Sequence, residues 1–491
     1  MSSQSSVPIS RSAGASTPTR LRVTFVSYAL VLLAAALSIP LRIPEVLQIA
    51  AVSDLSPSKF FGWIAQAPAS APLHPLVQLP FLLAGGHSRL AARFVSLVFA
   101  VAACYLFLRL AKRIPLQQPY AALLLFMMLP VHFELAFEAA QFEQALFLVV
   151  LATMCFFRLV SRPSVNTALL YAGCLALCLY TDRYSFLPAI GYLLFLLRFI
   201  NRPQERRTIW YALAATAAPV LLFLPYALWA HTQVNPDWLE GPPAPATGLV
   251  SLRALRSVAA QRWAAYLLSV LLAAGVMAGA WSSFRLTTGT IAKRIRLFAL
   301  TGGVVTTIVI ALTVDIFLGE RFQSSHLLWA APAIVILLFA GLEWLTKRRD
   351  LRPFGLAATI PLLAVCAAAD AQYLLPPPDS SRREDLQATA ASVPGQLQGD
   401  SCVVFVSERF SRALFLVFEP ELARHECLDF FHSRIVLAIH PYVTLDQQQD
   451  AESYFRGLDL VETNRLYAGG GRVVVMQQKV MQPKVMQPNG K

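Results

Sequence analysis

Long apolar runs separated by short polar stretches make up most of the sequence between residues 23 and 374. A helix needs about 20 apolar residues to cross the hydrocarbon core of a bilayer, and most of these runs approach that length. The pattern therefore predicts spanning helices at 23–41, 89–110, 117–131, 142–160, 165–180, 184–200, 209–229, 263–283, 297–318, 325–345 and 354–374. A further apolar stretch, 73–85, is shorter and ends at Gly85-Gly86.

Basic residues cluster in every second connection between these runs. The clusters lie at Lys112-Arg113, at Arg158 to Arg162, and in 198–207, 285–296 and 347–352. Because cytoplasmic loops carry an excess of lysine and arginine, this alternation sets the orientation of the chain. It holds only if 73–85 does not cross the membrane, so we expect that stretch to lie at the outer interface or to re-enter. The prediction is about eleven spans.

Composition agrees with an all-α polytopic membrane protein. Only 14% of the 491 residues are charged and 56% are hydrophobic, against roughly 25% charged residues in an ordinary soluble domain. The net charge of +13 fits cytoplasmic loops facing an anionic leaflet, so no nucleic-acid partner is predicted. We expect a multi-pass protein of the plasma (inner) membrane, with residues 1–22 disordered in the cytoplasm and a transmembrane domain over 23–374.

The C-terminal part has a different character. After Pro376-Pro377-Pro378 the charge content becomes ordinary, and short strand-like and helix-like patterns alternate. We predict a small extracytoplasmic α/β domain over 375–478, with strands at 402–407, 413–418, 435–440 and 472–476 and helical patches at 384–393 and 448–457. Its two cysteines, Cys402 and Cys427, could pair in an oxidising compartment. Residues 479–491 contain a repeated Lys-Val-Met-Gln-Pro and are predicted to be a disordered tail.

The first outer loop, 42–88, contains the first candidate chemistry. It holds Glu45, Asp54 and His74 where the chain leaves the bilayer, and Glu138 lies in a later outer loop. Ionisable groups beside hydrocarbon are costly and usually functional. A solvated connecting loop is the alternative explanation.

The order of these features resembles the GT-C glycosyltransferases. An N-terminal span is followed by an outer loop with an early acidic residue, a Pro-Leu helix that does not cross, a short apolar stretch closed by Gly85-Gly86, and then Arg93. The nearest look-alikes are bacterial relatives of the dolichyl-phosphate-mannose protein mannosyltransferases and the aminoarabinose transferases of lipid A. The resemblance covers about residues 20–345 and the outer α/β tail that many of these proteins carry.

Two motifs in the first outer loop carry this resemblance and also depart from it. Ile43-Pro44-Glu45-Val46 occupies the place of the family's Asp-Glu-Ala, so Glu45 matches the glutamate and a proline replaces the aspartate. Pro72-Leu73-His74-Pro75 is similar to the family's Pro-Pro-Leu-Tyr, with histidine where tyrosine is usual. The usual catalytic candidate of the family is therefore missing.

Two later motifs are similar in the same partial way. Glu138-Ala139-Ala140-Gln141-Phe142 resembles Glu-Ala-Arg-x-Tyr, but Ala140 stands where the family has arginine. Arg321-Phe322, followed by Pro332, resembles the Arg-Tyr…Pro at the start of a late span.

The chemistry of such a protein needs a base, cations and a pocket at the membrane boundary. A carboxylate that activates the acceptor must be ionised; Glu45 is favoured by its position, Asp54 is the alternative, and Glu138 could orient the acceptor or hold a metal. Guanidinium groups bind phosphate oxygens bidentately, so Arg93, Arg183 and Arg321 are candidates for the donor phosphate. Each of these arginines could instead be an interface anchor or the partner of a nearby acid.

The remaining candidates concern the pocket and the cofactor. The resemblance assigns His74 and Phe142 to the substrate pocket, although His74 could also be a plain hydrogen-bonded histidine at a helix start. His74 lacks a nearby Cys/His cluster of metal-ligand spacing, so no metal ligand is predicted and a divalent metal stays open. The expected partners are the membrane, a polyprenyl-phosphate sugar donor, and an envelope lipid, glycan or protein acceptor.

Three functions remain from the sequence. The first is an inverting transfer of a sugar from a polyprenyl-phosphate donor to an acceptor at the outer face. The second is a catalytically inactive relative that binds a lipid-linked glycan, which the missing aspartate, arginine and tyrosine favour. The third is a secondary transporter, which would place ionisable residues near span centres. The sequence has no Gly-rich phosphate loop, no HExxH and no GxSxG, which argues against nucleotide-driven transport, zinc proteolysis and α/β-hydrolase chemistry.

Overall fold

The computed structural model describes most of the predicted helical part and the core of the C-terminal part. The described residues are 17–39, 41, 45, 72–85, 88–114, 116–197, 201, 206–233, 277, 291–318, 328–346, 360, 363–364, 366–367, 386–397, 401–405, 420–425, 427, 434–439, 451–456, 460–468 and 471–478. The predicted span at 263–283 and strand at 413–418 lie outside these residues, apart from position 277. So does most of the predicted span at 354–374.

The described residues are mostly helical, and the helices follow the apolar runs of the sequence. Their bounds are α1 Thr17–Ser38, α2 Leu73–Gly85, α3 Arg89–Arg113, α4 Pro119–Met127, α5 Pro130–Ala136, α6 Phe142–Ser161, α7 Val165–Thr181, α8 Leu187–Leu197, α9 Arg206–Gln233, α10 Ile291–Leu318, α11 Ala331–Thr346, α12 Leu386–Ser392 and α13 451–456. A 3₁₀ helix, Arg183–Phe186, leads from α7 into α8.

Capping residues explain where several helices begin. Ser88 accepts a hydrogen bond from the backbone N–H of Ala91 and so starts α3. Ser164 and Thr167 form a reciprocal capping box at the start of α7. These side chains satisfy backbone N–H groups that have no partner in the first helical turn.

A sharp bend separates α4 from α5, and the sequence pattern did not predict it. Leu129 is extended because the residue before a proline is disfavoured in helical geometry. Pro130 then begins α5, and the two axes differ by 59°. The chain is therefore helical beyond residue 131, where the apolar pattern ended the predicted span, since proline is well suited to the first position of a helix.

Among the described residues, four helices are long and apolar enough to cross a membrane. They are Leu21–Ser38, Arg89–Arg113, Phe142–Ser161 and Arg206–Trp229. The bent pair α4 and α5 makes a fifth if it is one span. Shorter apolar helices lie at Leu73–Gly85, Val165–Thr181, Arg183–Leu197, Arg296–Ile310 and Leu328–Trp344. The number of eleven spans stays a prediction.

Glycine allows α8 and α10 to approach closely. A Cβ atom added at Gly191 would lie 2.6 Å from the Cα of Gly303 and would also meet the carbonyl of Gly302. Small residues let helix backbones pack against each other where larger side chains would keep them apart. Replacing Gly191 with a larger residue therefore requires one of the two backbones to move.

The C-terminal part contains a four-stranded mixed sheet. Its strands are β1 Ser401–Phe405, β2 Arg434–Ile439, β3 Leu460–Ala468 and β4 Gly471–Gln478, in the order β1-β2-β4-β3. β1 and β2 are parallel, and β4 is antiparallel to both of its neighbours. The sequence pattern predicted β1, β2 and β4 and both helical patches, whereas β3 was missed because polar residues interrupt its alternation.

Both faces of this sheet are buried. On one face, side chains that include Ile435 and Val474 pack with Phe455 of α13. On the other face, Val403 and Val436 belong to a cluster that also contains Ala390 of α12. Cys402 of β1 forms a disulfide with Cys427, with a Cα–Cα distance of 5.0 Å, so the predicted pairing is confirmed.

Candidate functional site

A buried ion pair joins the first outer loop to α3. Arg93, near the start of α3, donates from Nε to Oε1 of Glu45 at 2.8 Å and from Nη2 to Oε2 at 2.7 Å. Each residue is only 1% exposed. This is the bidentate geometry in which guanidinium and carboxylate bind most strongly.

Arg93 also binds the end of α1. Its Nη1 donates to the backbone carbonyls of Ala36 at 2.9 Å and Ile39 at 2.7 Å. The last carbonyls of a helix have no partner within the helix and carry partial negative charge, so a guanidinium satisfies them well. One side chain therefore joins α1, α3 and Glu45. We call this end of the helical bundle, where α1 ends and α3 begins, the Glu45 end.

A third element completes the surroundings of Glu45. The backbone N–H of Ala139 donates to Oε1 of Glu45 at 2.7 Å. Ala139 lies between α5 and α6, and the carbonyl of its neighbour Ala140 accepts from the hydroxyl of Ser96 on α3 at 3.1 Å. The carboxylate is therefore held by the guanidinium and by a backbone donor from a different part of the chain.

Residues 137–144, the 137–144 segment, connect most of the polar groups at this end. Besides the bonds of Ala139 and Ala140, Gln141 acts on the pKa of the Asp182 carboxyl. Glu143 and Gln144 lie in the first turn of α6 and contact His132 and His74, respectively. The sequence motif indicated Glu138 and Phe142 in this segment, whereas the contacts named in this subsection are made by its backbone, by the carboxylate of Glu143 and by the amide of Gln144.

A buried contact between His132 of α5 and Glu143 of α6 joins the two helices on either side of Ala139. His132 Nδ1 lies 3.0 Å from Oε1 of Glu143, and both side chains are fully buried. His132 Nε2 lies 3.2 Å from the hydroxyl of Tyr28 and 3.3 Å from Sγ of Cys104. The imidazole also stacks on Phe126, with ring centroids 4.6 Å apart. These contacts fix α5 against α6 and so fix the position of Ala139.

His74 lies on α2 and is fully buried against α6. Its Nδ1 is 2.9 Å from Oε1 of Gln144. One turn further along α2, Gln78 is also fully buried and donates from Nε2 to the carbonyl of Ala92 at 2.6 Å. α2 is thus bound through polar side chains to the residue that precedes Arg93 and to the 137–144 segment.

Asp182 and Arg183 form the corner between α7 and α8. Asp182 is buried, and its Oδ1 accepts from the N–H of Tyr184 at 2.8 Å. Burial raises the pKa of the Asp182 carboxyl to about 7, although hydrogen bonds from Tyr184 and Gln141 and the charge of Arg183 act in the opposite direction. Arg183 is exposed, donates to the hydroxyl of Tyr184 at 3.1 Å and lies over its ring at 4.9 Å.

The sequence-predicted residues are distributed around this end as follows. Glu45 and Arg93 are in direct contact. Glu138 is half-buried beside Ala139, and Phe142 is the buried first residue of α6. Asp54 and Arg321 lie outside the described residues.

The buried polar residues at the Glu45 end, which we call the polar network, include several that were not among the sequence-predicted site residues, such as Gln78, His132, Glu143, Gln144 and Asp182. The sequence feature that could have identified them is the presence of amide and ionisable side chains inside or beside apolar runs, where burying such groups is costly. Which of them meet could not be inferred, because partners lie up to 104 residues apart. The described residues contain no group of three or more His, Cys, Asp or Glu arranged to hold a metal ion.

The sheet of the C-terminal part packs towards the Glu45 end. One apolar cluster contains Leu41, four residues before Glu45 in the chain, and Ala139, whose backbone N–H binds Glu45, together with Val403, Val436 and Phe405 of the sheet region. The α/β part of the chain therefore lies next to the Glu45 end of the helical bundle.

Comparison with known proteins gives similarity of structure rather than of sequence. Neither the protein-family models nor the curated proteins include a match to this sequence. ArnT from Cupriavidus metallidurans bound to undecaprenyl phosphate is 13% identical, with 94% of this chain and 99% of that chain covered and a TM-score of 0.55. ArnT in the apo state gives 14% identity, 94% and 98% coverage and a TM-score of 0.52. The archaeal oligosaccharyltransferase AglB from Archaeoglobus fulgidus, in complex with an inhibitory peptide and a dolichol-phosphate, is 11% identical over 85% of this chain and 69% of that chain, with a TM-score of 0.42.

The two ArnT structures extend over nearly the whole of both chains. At this sequence identity the likeness shows the fold. The fold resemblance that the sequence motifs predicted is therefore confirmed.

Proposed function

We propose that this chain, which has the GT-C fold of ArnT, transfers a sugar from a polyprenyl-phosphate-linked donor to an acceptor at the outer face of the membrane. The observation that carries the proposal is the buried Glu45–Arg93 pair at the end of a bundle with this fold. Burying two charges is costly, and the pair is fixed by backbone groups from two further elements. ArnT was solved with undecaprenyl phosphate bound, which supports a lipid-linked donor of the same class here.

The contacts of Glu45 favour a positioning task for this residue. Its two carboxylate oxygens accept hydrogen bonds from Arg93 and Ala139. A general base needs a lone pair directed at the proton that it removes. We therefore assign Glu45 to ordering the first outer loop and assign the proton transfer to Asp54, nine residues further along that loop.

The reaction balances with these roles. The acceptor hydroxyl gives its proton to the Asp54 carboxylate while its oxygen forms a bond to the anomeric carbon of the sugar. The bond between that carbon and the phosphate oxygen breaks, and polyprenyl phosphate leaves with the electron pair. Attack opposite the leaving group inverts the anomeric configuration. Glu138, beside Ala139, is assigned to orienting the acceptor.

Cations stabilise the leaving phosphate in this scheme. Arg183 is exposed at the α7–α8 corner, and Arg321 is assigned with it on the basis of the sequence motif. Guanidinium groups stay charged at all relevant pH values, which suits them to a phosphate. The guanidinium of Arg93 is engaged with Glu45 and with α1, so we assign it to positioning rather than to the phosphate. Phe142 and His74 are assigned to the wall of the sugar pocket.

The proposed location follows from the charge pattern and the disulfide. Basic clusters in alternate connections favour a cytoplasmic N-terminus in the plasma membrane. Disulfides persist in oxidising compartments, and Cys402–Cys427 lies in the C-terminal part, which supports an extracytoplasmic position for that part. The acceptor is then an envelope lipid, glycan or protein.

A second function is an inactive relative that binds a lipid-linked glycan without transferring the sugar. Pro44 stands where the family has its aspartate, and the neighbouring Glu45 is bound to Arg93. One experiment distinguishes the two functions. Purified protein in proteoliposomes is supplied with radiolabelled polyprenyl-phosphate monosaccharides and an envelope extract as acceptor. Label that moves from the lipid to the acceptor supports the enzyme, whereas donor binding without transfer supports the inactive relative.

A further inference from the structure

α2 presents two buried polar side chains on one face. The helix is otherwise largely apolar, yet His74 and Gln78 are each 0% exposed. Residues four apart on a helix are neighbours, with Cβ atoms about 5–6 Å apart. A polar group in such surroundings is expected to be hydrogen-bonded.

The contact with Gln144 determines which nitrogen of His74 carries the proton. An amide oxygen can only accept a hydrogen bond, so His74 Nδ1, at 2.9 Å from Oε1 of Gln144, is the donor. Burial favours the neutral imidazole. In the neutral ring with hydrogen on Nδ1, the other nitrogen, Nε2, is an acceptor.

The contact with Ala92 orients Gln78 in the same way. Its amide nitrogen donates to the Ala92 carbonyl at 2.6 Å, so its amide oxygen is directed elsewhere. Among the residues that the structure describes, neither His74 Nε2 nor Gln78 Oε1 has a hydrogen-bond partner. The face of α2 therefore carries two buried acceptors, one turn apart, that require donors.

We infer that His74 Nε2 and Gln78 Oε1 bind hydroxyl groups of the sugar carried by the polyprenyl-phosphate donor. Both acceptors are neutral, as is Gln144, so a neutral O–H donor suits them better than a cation. Gln78 is bound to the residue before Arg93, and His74 is bound to the 137–144 segment that contacts Glu45. The sugar subsite therefore adjoins the ion pair, and it rests on the function proposed above.

Two substitutions separate the acceptor atom of His74 from its bond to Gln144. His74→Asn places an amide near the position of Nδ1, so it can keep the Gln144 contact while it removes Nε2. His74→Gln places an amide near the position of Nε2 and can restore an acceptor there while it loses the Gln144 contact. Unfolding curves of both variants establish that the chain is folded before binding is compared.

The measurement is the affinity of the full chain in lipid nanodiscs for a polyprenyl-phosphate monosaccharide and for polyprenyl phosphate without sugar. We expect His74→Asn to weaken binding of the sugar-bearing lipid about tenfold, the loss of roughly one hydrogen bond, and to leave binding of the bare lipid unchanged. His74→Gln should recover part of the loss.

Two outcomes overturn the inference while leaving the proposed function intact. In one, the wild-type chain binds both lipids equally. In the other, His74→Asn leaves the affinity for the sugar-bearing lipid unchanged or weakens both affinities by the same factor, as a buried water or a packing role would. Failure of the wild-type chain to bind either lipid is a different result. It would reject the proposed function together with this subsite.

Discussion

Removing the charge of Glu45 should destabilise the protein more than any comparable change at a partly exposed position. Glu45→Gln keeps the size of the side chain and one oxygen that can accept a hydrogen bond. It leaves Arg93, only 1% exposed, without its anionic partner. Breaking a buried ion pair in this way costs about 3–5 kcal/mol of unfolding free energy.

Arg93→Met should cost more than Glu45→Gln. It leaves the Glu45 carboxylate buried without its cation, and it also removes the hydrogen bonds to the carbonyls of Ala36 and Ile39. Each of those bonds contributes about 1 kcal/mol or somewhat more, since the donor is charged. The double variant should cost less than the sum of the two single changes, because the second substitution removes a charge that the first left unpaired. We expect a coupling energy of about 2–3 kcal/mol.

The assay is unfolding in mixed micelles with increasing sodium dodecyl sulfate. It is followed by a thiol-reactive fluorophore, because the free cysteines are all buried: Cys104, Cys155, Cys174, Cys178 and Cys366. Arg89→Met is the matched control. Arg89 lies one turn before Arg93 on α3 and also reaches the end of α1, through a 3.5 Å contact with the carbonyl of Leu37. The reasoning is refuted if Glu45→Gln and Arg93→Met cost no more than Arg89→Met, or if their costs simply add.

Three further predictions concern other parts of the chain. Replacing Cys402 and Cys427 by serine should destabilise the C-terminal part by about 3 kcal/mol, as expected for a closed loop of 25 residues, and limited proteolysis should cut the variant there first; equal protection of both proteins would contradict this. Burial raises the pKa of Asp182 to about 7, above about 3.9 in the unfolded chain, so folding takes up a proton between these values and stability should fall as pH rises from about 4 to 7. Asp182→Asn should make the melting temperature depend less on pH between about 4 and 7 than it does in the wild type. An unchanged pH dependence would contradict the raised pKa of Asp182. Gly191→Ala should lower the melting temperature because its Cβ would meet the backbone of α10, whereas Gly173→Ala, with nothing within 4 Å of the added atom, is the control and should have little effect; similar melting temperatures would contradict the close packing.

Much of the helical part follows from the sequence because hydrocarbon imposes strict requirements. Apolar runs such as 142–160 and 165–180 correspond to α6 and α7 almost residue for residue. The bend at Pro130 was harder to predict, since a proline within an apolar run is compatible with a kink, a break or a new helix. β3 was missed because its polar residues, including Glu462 and Arg465, pair with each other along the strand instead of alternating with apolar ones.

The candidate site was only partly predictable for a related reason. Sequence position indicated that Glu45 and Arg93 matter, since charged residues beside hydrocarbon are rarely incidental. It did not show that they bind each other across 48 residues. Nor could it show that a backbone N–H of Ala139 would complete the pair. Such long-range contacts depend on how the helices pack, which local patterns do not determine.

The central claim is that the chain transfers sugar and that Asp54, rather than Glu45, removes the proton. The most direct test is transfer from a radiolabelled polyprenyl-phosphate monosaccharide by the wild-type chain and by Asp54→Asn in proteoliposomes, with donor binding and unfolding measured on the same preparations. General-base catalysis contributes about 10²–10⁴-fold in rate. We therefore predict that Asp54→Asn loses transfer by at least about a hundredfold while its donor affinity and stability match the wild type. Full transfer by Asp54→Asn would contradict the assignment of the base, and donor binding without transfer by the wild-type chain would contradict the claim that it is an enzyme.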